Sequence, residues 1–87
     1  MIKNEKLYSE FEALGERLGV KIINGKGNFS GGYCIVKDET VIVVNKLKPI
    51  EHRLKVLATS FLEYNLDDIY MIPALRAYIE DTRSLLL

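Results

Sequence analysis

The chain lacks most of the material from which secreted and membrane-spanning proteins are built. Its 87 residues include one cysteine, one histidine, two prolines and no tryptophan. The single Cys34 cannot close an intramolecular disulfide, whereas small secreted domains usually depend on several. No stretch approaches the roughly 18 apolar residues of a transmembrane helix, and the first residues lack the apolar centre of a signal peptide. These absences predict a cytoplasmic protein without a membrane anchor.

The chain also lacks an excess of charge of either sign. Twelve basic residues balance twelve acidic ones, so no overall field attracts it to a nucleic acid, and we expect no general nucleic-acid binding. Hydrophobic residues at 48% and charged residues at 28% are typical of folded globular domains. The length predicts one domain over residues 1–87, with a tail at about 83–87 that frays.

Helical periodicity predicts three helices. The first spans about residues 4–18, with Asn4 as a candidate N-cap and Gly19 suited to the left-handed position after the last turn. Gly15 inside this helix indicates close approach of another element. A second helix starts at Pro49 and continues to about Tyr64, and a third starts at Pro73.

Three short β-branched runs follow the first helix, at residues 20–23, 33–37 and 40–44. The last two are separated by Asp38-Glu39, which favours a tight hairpin. Residues 41–44 are apolar on both faces, which suits a strand in the middle of a sheet or under a covering helix better than an exposed edge. The sequence therefore predicts an α+β fold in the order α-β-β-β-α-α, in which helices cover a three-stranded antiparallel meander.

Part of this pattern is similar to a known family. The similarity covers about residues 7–66 and is carried by three segments: Leu-Gly-Val-Lys-Ile-Ile at 18–23, Gly31-Gly32-Tyr33, and Val-Ile-Val-Val-Asn-Lys at 41–46 before a helix with Arg53, Leu57 and Ala58. It resembles the minimal core of the ImmA/IrrE type of bacterial zinc metallopeptidase. In that family the Ala of the helix precedes the zinc motif His-Glu-x-x-His.

The resemblance implies that the zinc motif is degenerate here. Thr59 falls on the first zinc ligand, Ser60 on the general base and Glu63 on the second ligand. Zinc prefers His nitrogen and Cys sulfur, so neither Thr59 nor Ser60 replaces what is lost, and one carboxylate binds metal weakly. We therefore expect no catalytic residues and no cofactor in this bacterial-type fold. A degenerate metallopeptidase-like enzyme or a metal-binding protein stays as an alternative.

Two other arrangements could carry chemistry. A basic stretch surrounds the start of the second helix, where the macrodipole is also positive, and it predicts a weak anion or nucleic-acid site: Lys46, Lys48, His52, Arg53 and Lys55. Cys34 and His52 could form a thiolate-imidazole pair only if they lie within hydrogen-bond reach. A small buried cysteine and a solvated histidine are the simpler interpretation of that pair.

The C-terminal third of the chain carries more apolar residues than one short helix needs to cover a sheet. Such an excess is typical of partner surfaces, so we predict an interface formed by Ile69, Tyr70, Met71, Ile72, Leu75, Tyr78 and Ile79. Completion of the core is the alternative explanation. The favoured function is therefore a non-catalytic protein that acts by protein association, as a homodimer.

Overall fold

In the computed structural model, which describes residues 2–86, the chain is an α+β domain with the predicted element order. Its helices and strands are α1 (Asn4–Leu18), β1 (Lys21–Gly25), β2 (Gly31–Val36), β3 (Glu39–Asn45), α2 (Ile50–Phe61) and α3 (Pro73–Leu86). None of the described helices is long and apolar enough to cross a membrane. The tail expected at about residues 83–87 lies in α3 as far as Leu86, and Leu87 lies outside the described residues.

The sheet is mixed, so the predicted antiparallel meander is wrong. The strand order is β1-β3-β2, with β1 parallel to β3 and β2 antiparallel to it. Residues 26–30 cross over the end of β3. As a result β1 and β2, which are consecutive in sequence, lie on opposite sides of β3. The long apolar strand β3 thereby lies in the middle, which a meander would have given to β2, and there it can bury residues on both of its faces.

The hairpin between β2 and β3 turns one residue earlier than predicted. Val36 pairs with Glu39, so the two turn residues are Lys37 and Asp38. Both have positive φ angles, 50° and 66°, as a type I′ turn requires. Asp tolerates this conformation better than most residues, which explains why the turn includes Asp38.

The first helix confirms two of the three predicted details. Gly19 has a φ of 69° and follows the last turn in the left-handed conformation. Gly15 is a site of close approach, because an added Cβ would lie 3.0 Å from the Val20 carbonyl oxygen. The predicted N-cap is wrong: Lys3 holds that position, without a side-chain hydrogen bond.

All three helices contribute to one core against one face of the sheet. Phe11 of α1 stacks on Phe61 of α2 at 5.9 Å between ring centroids, and Tyr78 of α3 meets Phe11 edge-on. On the sheet, Ile42 and Val44 belong to this core. A sheet covered on one face by helices from both sides of the sequence is a typical α+β arrangement.

The C-terminal apolar residues complete this core, so the predicted interface is wrong for much of its extent. Met71, Leu75 and Ile79 are buried, because α3 packs against both α1 and α2, which also contact each other. Half-buried residues packed against the same core are Ile69, Ile72 and Tyr78. Of the seven, Tyr70 alone is exposed, at 69%.

The other face of the sheet has no helix over it. Side chains alternate between the faces of a strand, so the register places Ile23, Val43 and Val36 opposite the core. Ile23 and Val36 are exposed at 41% and 49%. We call this surface, with Cys34 and Phe29, the helix-free face.

Candidate functional site

A cleft of about 320 Å³ opens between β2 and α2. The strand contributes Gly31, Gly32 and Tyr33 to its wall. The helix and the turn that follows it contribute His52, Lys55, Val56, Thr59, Ser60 and Glu63. We refer to this space as the β2–α2 cleft. Its lining includes Thr59, Ser60 and Glu63, the three positions that the predicted resemblance assigns to a degenerate zinc motif.

The helical side of the cleft is a stripe distinct from the core face of α2. Leu54, Leu57 and Phe61 point to the core. The cleft residues recur at the three- and four-residue spacing of one helical face, from His52 through Val56 to Glu63. One face of α2 therefore packs in the core, and another face forms a wall of the cleft.

Two glycines with positive φ angles lie on the strand side of the cleft. Gly31 has a φ of 101°, and an added Cβ there would lie 2.5 Å from the Val43 carbonyl oxygen. Gly32 has a φ of 145° and open space around it. Both conformations are unfavourable for residues with a Cβ. The glycines leave the backbone of β2 accessible beside α2.

Asn45 holds residues 26–30, the connection between β1 and β2. The Asn45 side chain is buried, and its amide donates to the carbonyl oxygens of Gly27 and Phe29 at 2.7 and 2.6 Å. Its Oδ1 accepts from the Leu47 amide at 3.0 Å. The glycine-rich segment of residues 26–30 is thus tied to the end of β3.

The two ends of the cleft differ in charge. Lys55 and His52 lie toward the N-terminal end of α2, and Glu63 lies past its C-terminal end. Neither Lys55 nor Glu63 forms an ion pair with another described residue. His52 Nε2 lies 3.2 Å from the Ser30 carbonyl oxygen. The cleft is therefore cationic at one end and anionic at the other.

The predicted anion site does not come together as a single group. His52 and Lys55 line the cleft, whereas Lys46 and Lys48 are exposed outside it. Arg53 is already engaged: its Nε donates to the Lys48 carbonyl oxygen at 3.1 Å, and its guanidinium lies 5.4 Å from the centre of the Tyr8 ring. Of the five residues, His52 and Lys55 alone line the cleft.

Thr59, Ser60 and Glu63 all line the cleft. Thr59 and Glu63 are exposed and Ser60 is buried. Glu63 follows His52 by eleven residues and lies past the end of α2. Among residues 2–86 no three His, Cys, Asp or Glu side chains are grouped so that they could hold a metal ion.

The considered pair of Cys34 and His52 is divided by the sheet. Tyr33 points to the helix side, where its ring meets that of Tyr64 at 5.9 Å. Cys34 is the next residue of the strand and therefore points to the helix-free face. His52 belongs to α2 on the other side. The geometry favours the interpretation of Cys34 as an apolar residue of the sheet.

Tyr64 closes the anionic end of the cleft. Its ring contacts both Tyr33 and Phe61, at 5.9 and 6.0 Å between centroids. Burial raises the pKa of the Tyr64 hydroxyl above its ordinary value of 10.0. Tyr64 therefore remains neutral at physiological pH, which leaves Glu63 as the charged group at this end.

Sequence reasoning missed the outer edge of β2. The strand pairs with β3 on one side, and α2 is the only other described element that contacts it. Its six residues, Gly-Gly-Tyr-Cys-Ile-Val, include no charge and no proline, the usual protection of an exposed edge. The composition was visible in the sequence, but a meander would have placed β2 in the middle of the sheet.

Comparison of the chain with protein-family models, with curated proteins and with solved structures gave no match. The similarity to the ImmA/IrrE type of metallopeptidase therefore stays a prediction. What the protein does has to be argued from the cleft, the strand edge and the surfaces of the described residues.

Proposed function

We propose that the protein is a non-catalytic binding protein that holds an extended polypeptide segment along the outer edge of β2. The observation that carries this proposal is the unprotected edge of β2 beside the β2–α2 cleft. Strand addition of this kind draws affinity from main-chain hydrogen bonds and specificity from pockets for alternate side chains. The edge supplies the first and the cleft supplies the second.

The hydrogen-bonding groups of the edge follow from the hairpin. In a type I′ turn the Val36 carbonyl accepts from the Glu39 amide, so this pair is hydrogen-bonded within the sheet. Alternation along an antiparallel strand then directs the N–H and C=O groups of Ile35 and Tyr33 outward. These groups are positioned to pair with a strand from another polypeptide.

The cleft would hold the side chains that such a strand directs toward α2. Most of the surface that lines the cleft is apolar, with Val56 and Tyr33 among the lining residues. A volume of about 320 Å³ accommodates two or three medium-sized side chains, within the usual range of binding pockets. The proposal therefore predicts a preference for an apolar residue at the centre of the bound segment.

Panning of a random heptapeptide phage library tests the proposal. The wild type is compared with Thr59→Trp, which fills the cleft from an exposed position, and with Glu51→Trp, which adds the same side chain to α2 outside the cleft. We expect peptides enriched on the wild type and Glu51→Trp to be lost on Thr59→Trp. Absence of enrichment on the wild type, or equal enrichment on Thr59→Trp, would contradict the proposal.

Self-association is a second candidate function, now on a different surface from the predicted one. We propose that the helix-free face packs against a second copy, because it exposes Ile23 and Val36 without a covering element. Three strands of up to seven residues present only about 300 Å². A standard interface buries about 800 Å² per partner, so the expected homodimer is weak.

Sedimentation velocity at a series of concentrations tests the dimer. Ile23→Lys on the helix-free face is expected to abolish the concentration dependence, whereas Tyr70→Asp at the predicted C-terminal surface is expected to leave it unchanged. The opposite pattern would support the predicted C-terminal surface as the dimer interface. A monomer at every concentration would contradict the dimer.

We also propose a reducing, cytoplasmic location, which the unpaired and half-buried Cys34 supports.

A further inference from the structure

We infer that the β2–α2 cleft selects a strand that carries a cationic side chain and, four residues later, a carboxylate. This inference rests on the proposed strand addition to β2 and specifies the chemistry of the partner. It is carried by the two charges at opposite ends of the cleft, Glu63 and Lys55, neither of which is ion-paired with another described residue.

The spacing follows from the geometry of the two elements. Lys55 lies six residues, or about 9 Å of helix rise, before the last residue of α2, and Glu63 lies two residues further on in the following turn. A strand rises about 3.3 Å per residue, so four residues span about 13 Å. Side chains four residues apart also point to the same face of a strand. A charge pair at this spacing can therefore reach both ends of the cleft at once.

The order of the two charges follows from the directions of β2 and α2. The start of β2 lies at the start of α2, where the Ser30 carbonyl meets His52, and Tyr33 lies beside Tyr64 past the end of α2. The two elements thus run in the same general direction. Antiparallel pairing is the commoner and slightly more stable mode, and an antiparallel partner passes Glu63 first and Lys55 last. The cation of the partner therefore precedes its carboxylate.

A second copy of the chain does not provide this pattern through its own edge. Residues 31–36 carry no charge, so the edge strand of a second copy has no charged side chain of its own to direct at Lys55 or Glu63. The charges favour a different polypeptide as the occupant. The carboxylate could belong to an Asp or Glu side chain or to a free C terminus, since both present the same group to Lys55.

Fluorescence anisotropy with labelled, amidated heptapeptides tests the inference. The first peptide is Thr-Lys-Thr-Val-Thr-Glu-Thr, which places Lys, Val and Glu on one face. The second exchanges Lys and Glu, and a third carries Gln at both positions. We expect the first to bind about 3- to 10-fold more tightly than the second, with the difference lost at high salt, because exposed ion pairs are individually weak. A fourth peptide, shortened to end in a free carboxylate at the Glu position, separates the two sources of the carboxylate.

Charge exchange on the protein provides the matched control. The double variant Lys55→Glu with Glu63→Lys is expected to reverse the preference between the first two peptides. The double variant Lys46→Glu with Asp68→Lys, which exchanges exposed charges outside the cleft, is expected to preserve it. Equal binding of the charged and neutral peptides would overturn the inference and leave the proposed strand addition intact. Binding of none of them would remove both.

Discussion

The two faces of the sheet differ in how the chain uses its apolar residues. On the helix side, Ile42 and Val44 are fully buried under three helices. On the helix-free face, Ile23 and Val36 remain exposed at 41% and 49%; they belong to β1 and β2, on either side of β3. Val41 of β3 also points to this face but is buried, so the exposed apolar residues there lie on the outer strands.

This difference shows where a function can be located in so small a protein. The helix side uses most of its apolar residues for folding, and two that it leaves exposed, Tyr33 and Ile35, lie on β2 at the margin of the sheet. The helix-free face and the β2 edge carry exposed apolar groups that folding does not require. The comparison can be tested by substitutions that affect one side and spare the other.

The largest effect is expected from the helix side. Phe61→Ala should lower the free energy of unfolding by about 3–5 kcal/mol, because it removes a fully buried ring that stacks on Phe11. Ile23→Ala on the helix-free face should cost less than about 1 kcal/mol, since much of that side chain is in water. Urea unfolding of both variants measures the difference. Similar losses would mean that the helix-free face is covered in solution.

The next effect concerns the two glycines on the strand side of the cleft. Gly31→Ala should cost about 2–4 kcal/mol, because the new Cβ would meet the Val43 carbonyl oxygen at 2.5 Å in addition to the backbone strain. Gly32→Ala carries strain without the overlap and should cost about 1–2 kcal/mol. Thermal unfolding compares the two. A less stable Gly32→Ala variant would show that the edge of β2 is packed differently.

A smaller effect is expected at Asn45, whose side chain binds residues 26–30 to the end of β3 by hydrogen bonds. Asn45→Ala removes two donated bonds and one accepted bond and should cost about 1–3 kcal/mol. Hydrogen exchange should rise most in residues 26–30 and at the Leu47 amide. Asn24→Ala, an exposed residue whose Oδ1 accepts one bond from Tyr8, serves as the control and should cost less. Unchanged exchange in residues 26–30 would contradict the role of Asn45.

The sequence was sufficient to predict the elements because local periodicity and turn residues determine them. The helical spacing around Leu14 and Phe61 predicted two of the helices, and Gly19 predicted the left-handed residue that ends the first. The order of the strands was not, because it depends on a crossing by residues 26–30 that only a buried contact of Asn45 explains. The cleft was half predictable: Thr59, Ser60 and Glu63 were singled out, but their partner strand required the correct sheet order.

The C-terminal residues show why apolar composition alone misleads. Met71, Leu75 and Ile79 looked superfluous when two helices were assumed to cover the sheet. Three helices share one core here, so each contributes a narrower stripe and needs the others for burial. Tyr70, Leu85 and Leu86 stay exposed in the C-terminal segment, and the exposed residues of the helix-free face could not be identified without the strand register.

The smallest predicted effect concerns the tyrosines of the helix side. Burial raises the pKa of Tyr8 and Tyr78 as well as that of Tyr64 above the ordinary value of 10.0. Because the folded-state pKa of Tyr78 lies above its unfolded value, its contribution to stability is complete below pH 10 and is lost as the pH rises through the folded-state pKa. Tyr78→Phe cannot ionise, so its unfolding free energy should decline less steeply above pH 10 than that of the wild type. Tyr70→Phe, altered at an exposed ring, should follow the wild type. Urea unfolding from pH 9 upward measures these slopes, and equal slopes for Tyr78→Phe and the wild type would show that this ring is open to solvent and that α3 is not held against α1.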